Sequence, residues 1–199
     1  DTPPLDIKQI FPQGWPAPYY QFQNNPLSND GFILGRKLFY ETKLSADNTI
    51  SCASCHQQFA AFAHGAHVLS HGINGLLGKR NAPTLQNLNW NTSFMWDGGI
   101  NHMEVQPLAP IQNPVEMAEN MTSVIAKLSA DTEYKSLFKN AFGDDSINTP
   151  RIMKAMAQFM GMLYSYNSKY DLHMRGESGG NFTGSEQAGY IVFQQKIGR

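Results

Sequence analysis

The sequence predicts a mainly α-helical fold interrupted by a long irregular middle, and three observations carry that prediction. Apolar residues recur at helical spacing near the start of the chain and again from residue 122 onward. Between these regions, residues 60–115 hold histidines, glycines and aromatics with little periodicity. At the head of that stretch stands Cys52-Ala53-Ser54-Cys55-His56, which contains the only two cysteines of the chain.

Residues 1–28 contain six of the eleven prolines, which rules out a regular helix there. They read as an extended arm that packs its aromatics onto the body. Ser28 or Asn29 can cap a helix running to about residue 41, with Phe32, Leu34, Gly35, Leu38 and Phe39 along its apolar face. A polar loop leads from there into the cysteine motif. Asn81-Ala82-Pro83-Thr84 predicts a turn, and residues 94–99 form another irregular aromatic segment. A helix over 122–130 places Val124, Ile125 and Leu128 on one face. The next, over 131–142, buries Tyr134, Leu137, Phe138 and Phe142 and stops at Gly143. Thr149 caps a long helix with Pro150 at its first position and Ile152, Met156, Phe159, Met160 and Leu163 inward. Methionine at this spacing is core filler in preference to an axial metal ligand. A capping box at Thr183-Gly184-Ser185-Glu186 opens a last helix.

Cys-x-x-Cys-His is the pattern of c-type haem attachment. Each thiol can add to one porphyrin vinyl group, and two intervening residues on a helical turn bring both sulfurs to the same edge. The following imidazole can then bind the iron as proximal ligand. A disulfide across so small a loop would stabilise little. A thioredoxin-like motif needs a βαβ pattern, which the chain lacks. A zinc site recruiting His64 and His67 fits finger spacing poorly. A long structureless segment inside a compact domain needs a functional reason, and a large planar cofactor supplies one. The expected fold is therefore a cytochrome c-like helical domain with long irregular loops around a covalently bound haem.

Taken together, Gly35-x-x-Leu38-Phe39, Leu44-Ser45, the haem motif, Arg80-Asn81-Ala82-Pro83-Thr84, Trp96-Asp97-Gly98, Gln106, Pro110, Glu116-Met117 and Tyr170-Asp171 resemble the bacterial di-haem cytochrome c peroxidases and their MauG-type relatives. The resemblance implies the N-terminal, peroxide-reacting haem domain of such a protein. Cys52, Cys55 and His56 would then hold haem c, with Glu116 and Gln106 on the distal side and Trp96 on the route to a second haem. His71 would be a loop ligand capping the distal face of the oxidised enzyme, with His64 and His67 as rivals, and Asn81 would help bind calcium. On this basis the function expected is reduction of hydrogen peroxide to water, with electrons from a small cytochrome or copper protein. A plain electron-transfer cytochrome and a MauG-type oxidation of a partner protein are the alternatives. The resemblance also implies a periplasmic location after export, and it allows a homodimer.

Gly35-Arg36-Lys37-Leu38-Phe39 also pairs with Gly189-Tyr190-Ile191-Val192-Phe193 as a weak internal repeat. The expected organisation is an arm over 1–28, a haem domain over 29–180, and the first helix of a truncated second haem domain over 181–199. A formal net charge of −1 argues against nucleic acid, and no apolar run reaches the length of a membrane span. The 41% hydrophobic and 16% charged content is that of a globular chain rather than a disordered one. The opening Asp1-Thr2-Pro3-Pro4 shows no signal-peptide pattern and reads as a mature or trimmed start.

Overall fold

A computed structural model describes residues 7–65 and 68–197, with side chains to residue 195. These residues form two compact units, one of 7–9 with 18–164 and the other of 10–17 with 165–197. The first unit carries helices α1 (Asn29–Phe39), α2 (Cys52–Cys55), α3 (Leu108–Gln112), α4 (Met121–Ser129), α5 (Thr132–Phe142) and α6 (Thr149–Met160). The second carries α7 (Lys169–Arg175) and α8 (Gly184–Ile197). Among the described residues the only extended pairings are three isolated bridges, each closing a loop in the irregular middle.

Helix α1 begins where Ser28 Oγ accepts the Gly31 N–H at 3.0 Å. Asp30 in its first turn and Arg36 and Lys37 in its last suit the helix dipole. Its buried face of Leu34, Gly35, Leu38 and Phe39 lies against α6 and α5. At the crossing, a Cβ on Gly35 would stand only 1.9 Å from the Ala155 carbonyl oxygen. The missing side chain is what lets the two backbones meet. Phe39 and Phe159 pack with ring centroids 5.1 Å apart. Ile152 and Met156 of α6, Val124 and Leu128 of α4, and Tyr134 and Phe138 of α5 complete the core, all with no exposed surface.

Helices α5 and α8 match the sequence reading closely. Asp131 caps α5, and Gly143 ends it in the left-handed region at φ 89°. Thr183 and Glu186 exchange the reciprocal bonds of a capping box. Three expectations need correction. The cap of α6 is Asn148, whose Oδ1 accepts the Arg151 N–H, so Thr149 is already helical and Pro150 is second. The first-turn N–H groups took the side chain with the better reach, and Asn caps at least as well as Thr. Residues 81–85 form no turn. Their carbonyls instead serve side-chain donors from elsewhere. Among the described aromatics of the arm, Phe22 is buried and Tyr20 packs partly buried against the core, while Phe11 and Tyr19 are mostly exposed. Helices α3 and α7 have no counterpart in the sequence reading, being too short to show a period.

Gly35→Ala should lower stability by about 1–3 kcal/mol through overpacking at the α1–α6 crossing. A thermal melt should show the midpoint falling by several degrees, and an unchanged midpoint would contradict the close approach.

Candidate functional site

Helix α2 is one turn long, with the Ser51 N–H donating to Ser54 Oγ at 3.1 Å. The turn brings Cys52 and Cys55 to the wall of the same cavity. Neither is in a disulfide. Burial pushes the Cys52 thiol up to about 12 and raises that of Cys55 as well. Such thiols are protonated at neutral pH, unlike the depressed thiols of reactive redox motifs.

The His56 N–H continues the turn by donating to the Cys52 carbonyl at 2.9 Å. Its Nδ1 lies 2.9 Å from the Phe62 carbonyl oxygen and 3.1 Å from that of Pro83. Carbonyls only accept, so Nδ1 carries the proton and Nε2 keeps its lone pair. Burial lowers the His56 pKa, against the two carbonyl contacts that favour the charged form. The ring is therefore a neutral imidazole with an assigned tautomer, the state a metal ligand requires.

The Phe62 carbonyl reaches His56 through a tight loop. Gln57 pairs with Ala63, and the Phe62 N–H returns to the Gln57 carbonyl at 2.9 Å. Ala61 and Phe62 both take left-handed backbone angles, φ 56° and 58°. For residues other than glycine that costs roughly 1–2 kcal/mol each. Burial of the Phe62 ring beside Phe39, with centroids 6.0 Å apart, offsets part of the strain. The Thr84 hydroxyl also donates to the Ala61 carbonyl at 2.5 Å.

The cavity encloses about 60 Å³ and opens to solvent beyond that. Phe39, Leu85, Met117, Met156 and Met160 give it apolar walls, and Gln106 and Glu116 add polar groups. The two methionines of α6 are thus core residues that also face the cavity. Glu116 is half-buried in the turn after α3, where its Oε1 accepts from Asn113 Nδ2 at 2.8 Å. Burial raises its pKa and the Asn113 bond pulls it back only in part. Gln106 Nε2 donates to the thioether of Met95 at 3.5 Å.

Five of the residues singled out in the sequence therefore share one cavity: Cys52, Cys55, His56, Gln106 and Glu116. Two sulfurs, an imidazole with Nε2 available and apolar walls fit a covalently attached haem. The other three candidates are not on its wall. Trp96 is 63% exposed, and its indole N–H donates to the Asn81 carbonyl at 2.7 Å. Asn81 itself donates through Nδ2 to the Val68 carbonyl at 3.0 Å. His71 is exposed, and it is its backbone carbonyl that lies by Cys55 Sγ, at 4.0 Å. His67 falls outside the described residues. No group of three or more His, Cys, Asp or Glu among the described residues is placed to hold a metal ion.

The sequence reading passed over Asn113, Met95 and the carbonyls of Phe62 and Pro83. Asn113 carried one signal, since an Asn-Pro pair marks the end of a helix. Backbone carbonyls leave no trace in residue types at all.

A family model described as di-haem cytochrome c peroxidase matches residues 29–179. The methylamine utilization protein MauG of Methylophilus methylotrophus is 32% identical, covering 93% of this chain and 53% of its own length. The cytochrome c peroxidase Ccp of Escherichia coli is 34% identical, covering 86% of this chain and 37% of its own length. The crystal structure of a MauG-like protein associated with microbial copper homeostasis superposes with a TM-score of 0.82 at 31% identity, covering 94% of this chain and 55% of that one. The chain thus spans about half the length, or less, of the curated relatives it matches.

Ala61→Gly should increase stability by up to about 1 kcal/mol, the reverse of the usual loss when glycine replaces alanine. Urea denaturation of the variant beside the parent protein would check the sign.

Proposed function

The chain belongs to the di-haem cytochrome c peroxidase family, whose members carry covalently bound haem c, and from that premise we propose that it is the peroxide-reducing half of such an enzyme. The observation that carries this reading is the single cavity that collects both cysteine sulfurs, His56, Gln106 and Glu116. The reaction is hydrogen peroxide plus two electrons and two protons giving two waters.

Cys52 and Cys55 would hold the porphyrin as thioethers, and His56 would bind iron through Nε2. Haem, when attached, supplies the electrons and the coordination position that peroxide cleavage needs. Glu116 has the proton-handling role. A carboxylate at the cavity wall takes the proton from the inner peroxide oxygen and returns it to the outer one, so that the outer oxygen leaves as water. Gln106 orients the substrate or an ordered water through its amide without adding charge.

The roles of Trp96 as electron relay, His71 as loop ligand of the oxidised state and Asn81 as a calcium-binding residue belong to the same proposal. The Trp96–Asn81 bond supports a fixed indole. The His71 carbonyl lies 4.0 Å from Cys55 Sγ, which sets that loop beside the attachment turn. We place the haem domain over 29–180 and read the residues from 181 onward as the first helix of a second haem domain. The exposure of Ile191, Val192 and Phe193, at 44%, 49% and 61%, supports a helix whose apolar residues await a cover. The proposed setting is the periplasm, with a small cytochrome or copper protein as donor, and the intact protein a homodimer. No helix among the described residues is long and apolar enough to cross a membrane. MauG-type oxidation of a partner protein is the second reading, favoured by relatives of that name at similar identity.

Glu116→Gln should lower kcat for peroxide by about 10²- to 10⁴-fold while the haem absorption spectrum stays nearly the same. A haem-stained gel confirms attachment, and stopped-flow mixing with peroxide reads the rate. An unaltered rate removes Glu116 from the mechanism. In the parent enzyme, kcat/KM should fall with pH through a limb lying above the ordinary glutamate value of 4.5, because burial raises this carboxyl. Below that limb Glu116 is protonated and cannot accept the peroxide proton. The limb should vanish in Glu116→Gln.

A further inference from the structure

The carboxylate of Glu116 is held by a device that the reading above does not use, and the inference drawn from it rests on that reading. Asn113 ends α3 because it precedes Pro114, which disfavours helical backbone at residue 113. Its side chain then works in two directions. Oδ1 accepts the Val115 N–H at 3.1 Å, and Nδ2 donates to Glu116 Oε1 at 2.8 Å. The first bond fixes the second. With Oδ1 committed to a backbone donor, the amide cannot turn over without setting an oxygen against the carboxylate.

The backbone repeats the grip. The Asn113 carbonyl accepts the N–H of Glu116 at 3.0 Å and of Ala118 at 2.9 Å. From the other side, the Ile73 N–H donates to the Glu116 carbonyl at 2.8 Å. Gly72 permits this approach, since a Cβ there would stand 2.6 Å from Glu116 Cα. Residue 116 is thus clamped at its main chain from two segments and at its side chain from one.

We propose that Asn113 is a positioning residue for Glu116, holding the carboxylate by Oε1 so that Oε2 faces the substrate in the cavity. Among the described residues, two titratable groups belong to the segments around this carboxylate. Cys55 is within its electrostatic reach but carries no proton once in a thioether. His71 sits one residue before Gly72 on the loop packed against residue 116.

A turn-forming role and a positioning role separate at Asn113→Asp. Aspartate accepts the Val115 N–H as well as asparagine does, so the turn survives. It cannot donate to Glu116, and it sets a second carboxylate beside the first, which disfavours ionisation of both. Three variants are compared in the haem-loaded, full-length natural protein: Asn113→Asp, Asn113→Ser and Glu116→Gln. Serine supplies a turn acceptor but is too short to reach Oε1, so it stands in if the aspartate variant fails to fold. Readouts are kcat and KM for hydrogen peroxide against pH, the thermal midpoint, the haem spectrum, and an infrared titration of the Glu116 carboxyl assigned by difference from Glu116→Gln.

Asn113→Asp should lower kcat about tenfold or more with KM little changed, as loss of a hydrogen bond to a charged group at the reacting centre requires. The acid limb and the infrared midpoint should both move to higher pH, while the spectrum and thermal midpoint stay near the parent's. Asn113→Ser should move both in the same direction by less. If Glu116→Gln is slow but both Asn113 variants keep the parent rate and an unmoved carboxyl titration, the positioning role is overturned and the proton role of Glu116 stands. If Glu116→Gln itself keeps the parent rate, both fall together.

Discussion

The site depends on where the one proton of His56 goes. Two backbone carbonyls, from Phe62 and Pro83, converge on Nδ1 and leave Nε2 as the nitrogen with a lone pair. This fixes the ring's tautomer and its plane, a condition under which an imidazole can serve as a ligand without reorganising. The carbonyls come from segments 21 residues apart, so the constraint reaches well beyond the attachment turn. Residues 57–63 curl back through two left-handed positions to supply one. Residues 81–85 stay free of a turn and supply the other, while the Asn81 carbonyl receives Trp96. The irregular middle is thus shaped by side-chain donors that need carbonyls rather than by a ladder of its own.

Behind that arrangement stands the helical core, and the two are joined through a few side chains. Phe39 ends α1, touches Phe159 and Phe62, and forms part of the cavity wall. Met156 and Met160 face the same cavity from α6. The close α1–α6 crossing at Gly35 therefore sets the width of the cavity's apolar side as well as the stability of the core. The polar side is built differently, from the short helix α3 and the Asn-Pro turn that holds Glu116. One wall is rigid through packing and the other through hydrogen bonds that involve the backbone.

Much of this was legible in residue types. The helical periods of α1, α4, α5 and α6 name their buried faces almost residue by residue, because an amphipathic helix must turn one stripe inward. Cys52, Cys55 and His56 declare the cofactor through spacing alone. Gln106 and Glu116 were reached only through the family pattern, since a lone glutamate by a helix end reads first as an exposed charge. The placement of His71 and the contacts of Trp96 and Asn81 were not readable, for they are decided by main-chain carbonyls that every residue carries. Asn148 displaced Thr149 as a cap for a related reason: both types can cap, and only the local backbone chooses between them.

The paired motifs of α1 and α8 show why a pattern does not by itself fix burial. Leu38 and Phe39 are 0% and 1% exposed, whereas Val192 and Phe193 are 49% and 61% exposed. Helix propensity and capping are satisfied in both, so local chemistry cannot account for the difference. What α1 has is a partner surface, with Ala155 and Phe159 of α6 lying against Gly35 and Phe39. A large apolar side chain left wholly in water forgoes roughly 1.5–3 kcal/mol. Half-exposed as Val192 and Phe193 are, each forgoes part of that, which still counts against a domain's net stability of about 5–15 kcal/mol. Val192 and Phe193 thus bear a cost in water that their counterparts on α1, Leu38 and Phe39, escape inside the core.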